Sequence, residues 1–423
     1  MAHPMSEDTA SNGVWLVHPT GNANVRALLR DFSATGILRR FHTTLGVGFD
    51  AREPLRSVFQ QRSYPIPDKL LARRCIPELA RLGLPAWSPR PSVDLVYRDL
   101  DRTVACILER LGSRANTGLP TVLYGYEDGC SAGFTVAREL GIHRVYDLPI
   151  AYHTFTQEIL QEEAERRPEW ASTLPGLSDS PEKLERKHRE LSLAETVVCP
   201  SQFVADSLPE WVSGDGERSV VVSPFGTPAS SATRENQSPP RDPSRPLRVL
   251  FVGSLTQRKG LADLLDGVRL LGNHAVELVL LGSLLRPLEF YTKWGVPFRY
   301  EPPRSHDAVL ALMETCDLLA LPSLVEGRAL VLQEAMSRGL PILITPNTGG
   351  ADLVEFEKTG FLVPIRSPEA IASALAWCLD HRGDLPEMGR AAQRKAACLT
   401  WPAYAQRVRE AILAWTSLTR NQG

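Results

Sequence analysis

Glu326 and Glu334 stand with seven residues between them in "EGRALVLQEA", directly after the strand-like "DLLALPSLV". Where a strand gives way to a helix, the first helical amides have no intrahelical acceptor and can hold an anion. Gly327 lets a ligand approach the backbone closely. Glu326 falls in that loop, either as a ligand contact or as a helix cap favoured by the same amides. Glu334 lies four and three positions after Leu330 and Val331, so it shares their side of the helix rather than the solvated one. A partly buried carboxylate needs donors. Sugar hydroxyls are good donors, and a neighbouring arginine is the alternative. A second stretch, "FVGSLTQRKG", ends a strand at Gly253, continues through Ser254, and sets Arg258, Lys259 and Gly260 before the next helix. The glycine spacing and trailing hydroxyl of a Walker A loop are absent. Two cations beside a glycine-opened turn nonetheless suit a diphosphate; plain solvated loop charges are the other reading.

These residues need a scaffold, and the flanking runs describe one. After "LRVLFVG" come the helical "LADLLDGVRLLG", then "VELVLLG", "FRYEPP", "DAVLALMETC", "DLLALPS", "PILITP", "GFLVPI" and "SPEAIASALAWCLD". Strands apolar on both faces, alternating with helices, predict parallel βαβ units. An earlier block, from "GVWLVHP" through "TVLYGYED", "RVYDLPIAYH" and "ETVVCPS" to "SVVVSPFG", is of the same kind but less regular. The Pro- and Ser-rich stretch between them reads as a linker. The expected division is 13–226, a linker at 227–246, 247–400, and a final helix and tail at 401–423. That helix carries Trp401, Tyr404, Val408, Ile412 and Trp415 as a packing stripe. Ligands in open parallel sheets collect at the strands' carboxyl ends, which is where both motifs fall.

With 423 residues, the chain exceeds what one core usually supports. A net charge of −2 gives no basic surplus for general nucleic-acid binding. No apolar run reaches membrane-spanning length, and the first residues lack a signal peptide's basic start and apolar core. The seven cysteines are scattered without metal-ligand spacing, as small core residues of a reducing cytosol would be. A cytoplasmic protein is expected, with peripheral contact at the inner membrane face left open.

Taken together, strand-G-S-L-x-x-R-K-G and "LPSLVEGRALVLQEAMSRGLPILITPNTGG" resemble the family-four retaining glycosyltransferases, the glycosyl transferases group 1, over nearly all of residues 247–400. The resemblance implies the GT-B fold: two Rossmann-like domains facing across a cleft, with a carboxyl-terminal helix crossing back to the first. It implies a nucleotide-sugar donor (UDP-, GDP- or ADP-linked), no metal and no cofactor. Lys259, assisted by Arg258, would neutralise the diphosphate; Gly253 and Ser254 would line its loop. Glu326 would contact the donor sugar near the reacting carbon, the amides of Gly327, Arg328, Ala329, Leu330 and Val331 would approach the phosphates, and Glu334 would hold the ribose. Ser254, Arg328 and Ala329 depart from the family's usual basic, aromatic or small, and glycine residues, which implies altered donor geometry.

In the first block, Gly21 and Asn22 in "VHPTGNANVR" match the family's flexible loop near the diphosphate and acceptor. His153 matches a histidine near the donor sugar, with a structural role as the alternative; His18 is a weaker candidate. Asp99 and Asp101 in "RDLDRT" have the D-x-D spacing of metal-binding GT-A enzymes but read as helix-start residues. The implied activity is hexosyl transfer to a saccharide or lipid-linked acceptor, in bacterial envelope or exopolysaccharide synthesis. Two rivals stay open: a donor-binding sensor or scaffold without transfer activity, and another GT-B enzyme such as an epimerase or phosphorylase. The acceptor, the linkage and the oligomeric state are not legible.

Overall fold

The computed structural model describes residues 13–420 apart from 55–58, 60–61, 86–87, 115–117, 178, 215–217, 229–244 and 273–274. Most of the expected linker therefore lies outside the described residues. Numbering helices of eight residues or more, the first domain runs β1 (Val14–Val17), α1 (Ala23–Ala34), β2 (Leu38–Thr43), β3 (Val47–Gly48), β4 (Ser63–Tyr64), β5 (Leu71–Arg73), α2 (Cys75–Gly83), α3 (Val93–Gly112), β6 (Val122–Tyr126), α4 (Ser131–Glu139), β7 (His143–Asp147), α5 (His153–Arg166), α6 (Pro181–Leu193), β8 (Thr196–Cys199) and β9 (Ser219–Val222). The second runs β10 (Leu247–Val252), α7 (Leu261–Leu270), β11 (Val276–Leu281), β12 (Phe298–Glu301), α8 (His306–Met313), β13 (Leu318–Leu321), α9 (Leu330–Ser337), β14 (Ile342–Ile344), β15 (Gly360–Leu362), α10 (Pro368–Asp380) and α11 (Leu385–Ala397). The final helix is α12 (Trp401–Arg420).

The first sheet has the order β5-β2-β1-β6-β7-β8-β9 and the second β12-β11-β10-β13-β14-β15. Their strand pairs are parallel. The second sheet's strands read as continuous apolar runs because helices cover both faces; Leu318, Leu319, Ala320 and Leu321 are all buried. In both sheets the winding direction reverses beside the first strand, between β1 and β6 and between β10 and β13. Adjacent crossovers leave in opposite directions there, opening a crevice at the strands' carboxyl ends. The chain thus has the two-domain GT-B architecture.

Among the described residues, the contacts that join the domains include three away from the sheets' facing loops. α12 crosses back, and its Tyr404, Val408 and Ile412 join the core built by Val14, Leu16, Leu28 and Phe32. Gly226 sits where any Cβ would strike the Trp401 backbone, so the two crossing strands of chain touch. The third is an arm formed by α5 and the following turn at Pro168–Thr173, which belongs to the first domain in sequence but docks on the second. Trp170 is buried against Phe290, Tyr291 and Trp294, stacking on Trp294 at 5.4 Å. Buried Glu163 of α5 accepts from Gln257 Nε2 at 2.7 Å and from Arg366 Nε at 2.8 Å.

Candidate active site

The loops after β10 and β13 leave the sheet on either side of its switch point and meet there. Gly253 has φ of 133°, and a Cβ on it would collide with the Lys259 side chain, so the glycine seats the lysine. Thr256 Oγ1 accepts from the Lys259 amide at 3.3 Å, fixing the short turn that carries Gln257, Arg258 and Lys259. Gly260 follows in the left-handed region, pressed on the Pro322 carbonyl. Lys259 Nζ reaches Glu326 Oε1 at 2.6 Å and Arg258 NH1 reaches the same oxygen at 3.1 Å. Burial opposes the Glu326 charge, but Lys259 and Arg258 outweigh it and hold the carboxyl below its usual range. Ser254 lies beside this group, its hydroxyl 3.4 Å from that of Ser283.

Glu326 is in the loop, its amide bonded to Asn347 O at 2.9 Å, and α9 begins four residues later. Leu330, Val331 and Glu334 share the half-open side of α9, whereas Leu332, Gln333, Ala335 and Met336 form its buried side. Glu334 therefore looks outward from the sheet, where its Oε1 lies 3.1 Å from His306 Nε2. That histidine was missed by sequence reasoning, since nothing in "RSHDAV" marks it as Glu334's neighbour.

Two groups of this loop have partners within the protein. The Arg328 guanidinium is turned into the protein: it donates to both Asp352 oxygens, at 2.9 and 3.1 Å, to Gly349 O at 3.1 Å and to Gln333 Oε1 at 2.8 Å. Its charge is matched internally by Asp352. The Ala329 amide is also engaged, by Thr348 O at 3.2 Å. The Leu330 and Val331 amides stand at the helix start, where no intrahelical acceptor is available.

The first domain supplies the opposite wall. Gly327 abuts the Pro149 carbonyl and Ile150 so closely that a Cβ would clash, and Ser201 Oγ donates to Gly327 O at 2.6 Å. Leu324 and Val325 pack with Ala151 and Ile159, the residues flanking the start of α5. The loop of Glu326 thus rests on the loop that leads into His153. The His153 ring packs on Tyr152 at 4.3 Å, and both ring nitrogens are buried without a hydrogen-bond partner. Burial, with smaller contributions from Lys187 and His188, lowers its pKa to about 4. Lys187 itself pairs with Glu127 at 3.2 Å, at the end of β6. This buried pair was not singled out from "YGYEDG", because its lysine is sixty residues away on α6.

Gly21 has φ of 65° and lies against the Tyr64 ring, while Asn22 caps α1 without a side-chain bond to it. His18 shapes this loop from below. Its Nδ1 accepts the amides of Thr20 at 3.1 Å and Gly21 at 2.8 Å, and burial depresses its pKa to about 3. The D-x-D pair is not at a helix start. Both aspartates lie inside α3; Asp99 pairs with Arg74, and Asp101 accepts the Ala132 and Gly133 amides that open α4.

Residues 233–395 match the family model described as glycosyl transferases group 1. The D-inositol 3-phosphate glycosyltransferase of Corynebacterium glutamicum is 29 % identical over 251 residues, 54 % of this chain and 60 % of that protein. The amylovoran biosynthesis glycosyltransferase AmsK of Erwinia amylovora is 26 % identical over 36 % of this chain and 40 % of its own. The matches thus span less than two thirds of these relatives' length. Among solved structures, Anabaena HepE in complex with UDP superposes with a TM-score of 0.60 at 16 % identity, covering 95 % of this chain and all of that one. Residues 233–395 are thus similar to the glycosyl transferases group 1 family, and both domains together have the GT-B fold.

Proposed function

We propose that the chain is a retaining hexosyltransferase that moves a sugar from a nucleoside diphosphate, without a metal, to a saccharide or lipid-linked acceptor in bacterial envelope or exopolysaccharide synthesis. The observation that carries this reading is the carboxylate–two-cation group at the second sheet's switch point, beside a helix start and against the other domain's loops. Breaking a sugar–phosphate bond puts negative charge on the leaving diphosphate, and preorganised cations and amides can meet it. Lys259, Arg258 and the Leu330 and Val331 amides would do so, and Glu326 would be freed to contact the sugar. Neutral His153 would face the same sugar from the first domain, able to donate or accept. Glu334 would exchange His306 for the ribose hydroxyls. A UDP-sugar is the first donor to try, since HepE was solved with UDP.

Thermal-shift titration with UDP-, GDP- and ADP-sugars identifies the donor, because a bound ligand stabilises in proportion to the logarithm of its concentration over Kd. One base should stabilise clearly and Glu334→Ala should shrink that shift; an unchanged shift would disprove the ribose assignment. With radiolabelled donor, Lys259→Ala is expected to lower turnover by about 10²–10³. Donor binding with neither transfer nor slow hydrolysis would overturn the enzyme reading.

A further inference from the structure

α2 is built inside out. Of its nine residues only Glu78 is buried, at 2 % exposure, while Ile76, Leu79 and Leu82 are 72 %, 52 % and 54 % exposed. The three apolar residues recur every third position and so fall along one side of the helix. The Glu78 carboxylate, on the inner side, is clamped by Arg62 at 2.6 Å and Arg81 at 2.7 Å. Two more large apolar residues, Val93 and Leu95, are exposed at the start of α3, against which α2 packs. Leaving such side chains in water is unfavourable, and grouped exposure of this kind marks a surface that something covers.

The surrounding charge indicates what covers it. Residues 62–99 hold seven arginines and lysines against four carboxylates, with Lys69 and Arg90 exposed, in a chain whose net charge is −2. Two copies meeting through this face would bring like charges together, which disfavours self-association. An apolar ridge in a basic surround fits an anionic lipid surface, where the side chains enter the headgroup boundary and the cations meet lipid phosphates. The face also has a definite place relative to the site. α2 follows the carboxyl end of β5, and Arg62, besides holding Glu78, donates to Thr44 Oγ1 at 3.1 Å. That hydroxyl donates to Pro19 O at 2.6 Å, two residues before Gly21.

We propose that α2 and the start of α3 form a docking surface for an anionic bilayer. It sits at the rim of the crevice on the Gly21–Asn22 side. If the activity proposed above holds, a lipid-linked acceptor is presented to the site from the plane of that bilayer; the docking itself depends on neither donor nor acceptor.

The full chain should sediment with vesicles of phosphatidylglycerol and phosphatidylcholine, hardly at all with phosphatidylcholine alone, and less as salt screens the cations. Replacing the ridge by Ile76→Glu, Leu79→Glu and Leu82→Glu should lower the vesicle partition coefficient by at least about tenfold, with the melting temperature unchanged. The charge variant Lys69→Ala/Arg90→Ala, which leaves the helix intact, should also lower it. Wild-type chain remaining in the supernatant with anionic vesicles would overturn the proposal. So would an apolar-ridge variant that is folded and sediments like wild type. A wild-type dimer in solution that this variant dissolves would assign the face to a second copy instead. Because the vesicles contain no sugar donor or acceptor, failure here leaves the transferase reading standing, and failure of transfer leaves this one standing.

Discussion

His153 has two buried ring nitrogens without partners and a pKa lowered to about 4. Its neutral form prevails at any pH above about 5. The folded state binds this proton less readily than the unfolded one, so the stability linked to the ring is full above pH 6.5 and is lost as pH falls toward 4. For turnover, the expected outcome is a kcat/KM profile without an acid limb near pH 6.5 assignable to His153. A limb at that pH that His153→Gln removes would contradict a neutral ring. Residues of this kind were legible in unequal measure. Glu326 and Lys259 could be singled out from type, spacing and position after a strand, all of which are local. The partners of the Arg328 side chain and the Ala329 amide were not legible, because Asp352 and Thr348 arrive from the β14–β15 connection. Gln257 is another case: its side chain bonds Glu163 and Asp263, and only the docked arm makes it a buried residue.

The arm is where element-level reading failed most. "RRPEWASTLPG" has no apolar period, yet Trp170 in it is wholly buried, and its partners Phe290, Tyr291 and Trp294 come from the other domain. The sheet strands behaved in the opposite way. Continuous apolar runs bounded by glycine or proline specify a strand covered on both faces whatever the neighbours are, and β10, β11 and β13 formed where those runs stand. α2 defeats a pattern reader for a third reason, since its outward residues are the apolar ones. Truncating the arm's anchor tests its weight: Trp170→Ala should destabilise the chain by about 3–5 kcal/mol, the usual range for emptying a buried aromatic site. Urea titration of wild type and variant measures it, and a loss under about 1 kcal/mol would mean that the site collapses around the gap.

At the scale of the whole molecule, both switch points open toward each other, and the loops that emerge from them are in contact through Gly327, Pro149 and Ser201. This architecture was readable because two βαβ blocks and a polar connection imply it. The way the blocks are fastened was not, since interdomain packing has no signature within either block. The fastening gives the chain a mechanical property. Leu177 is exposed in the connection between the arm and α6. A protease cut there would divide the first sheet, with β1, β2, β5, β6 and β7 on one fragment and β8 and β9 on the other. The first fragment would still grip the second domain through Trp170, and α12 of the second would still grip the first fragment's core. Nicked protein should therefore migrate as one particle on a native gel and as two bands after denaturation. Each half is wrapped by a piece of the other, so the covalent chain at that point is dispensable once folding is complete.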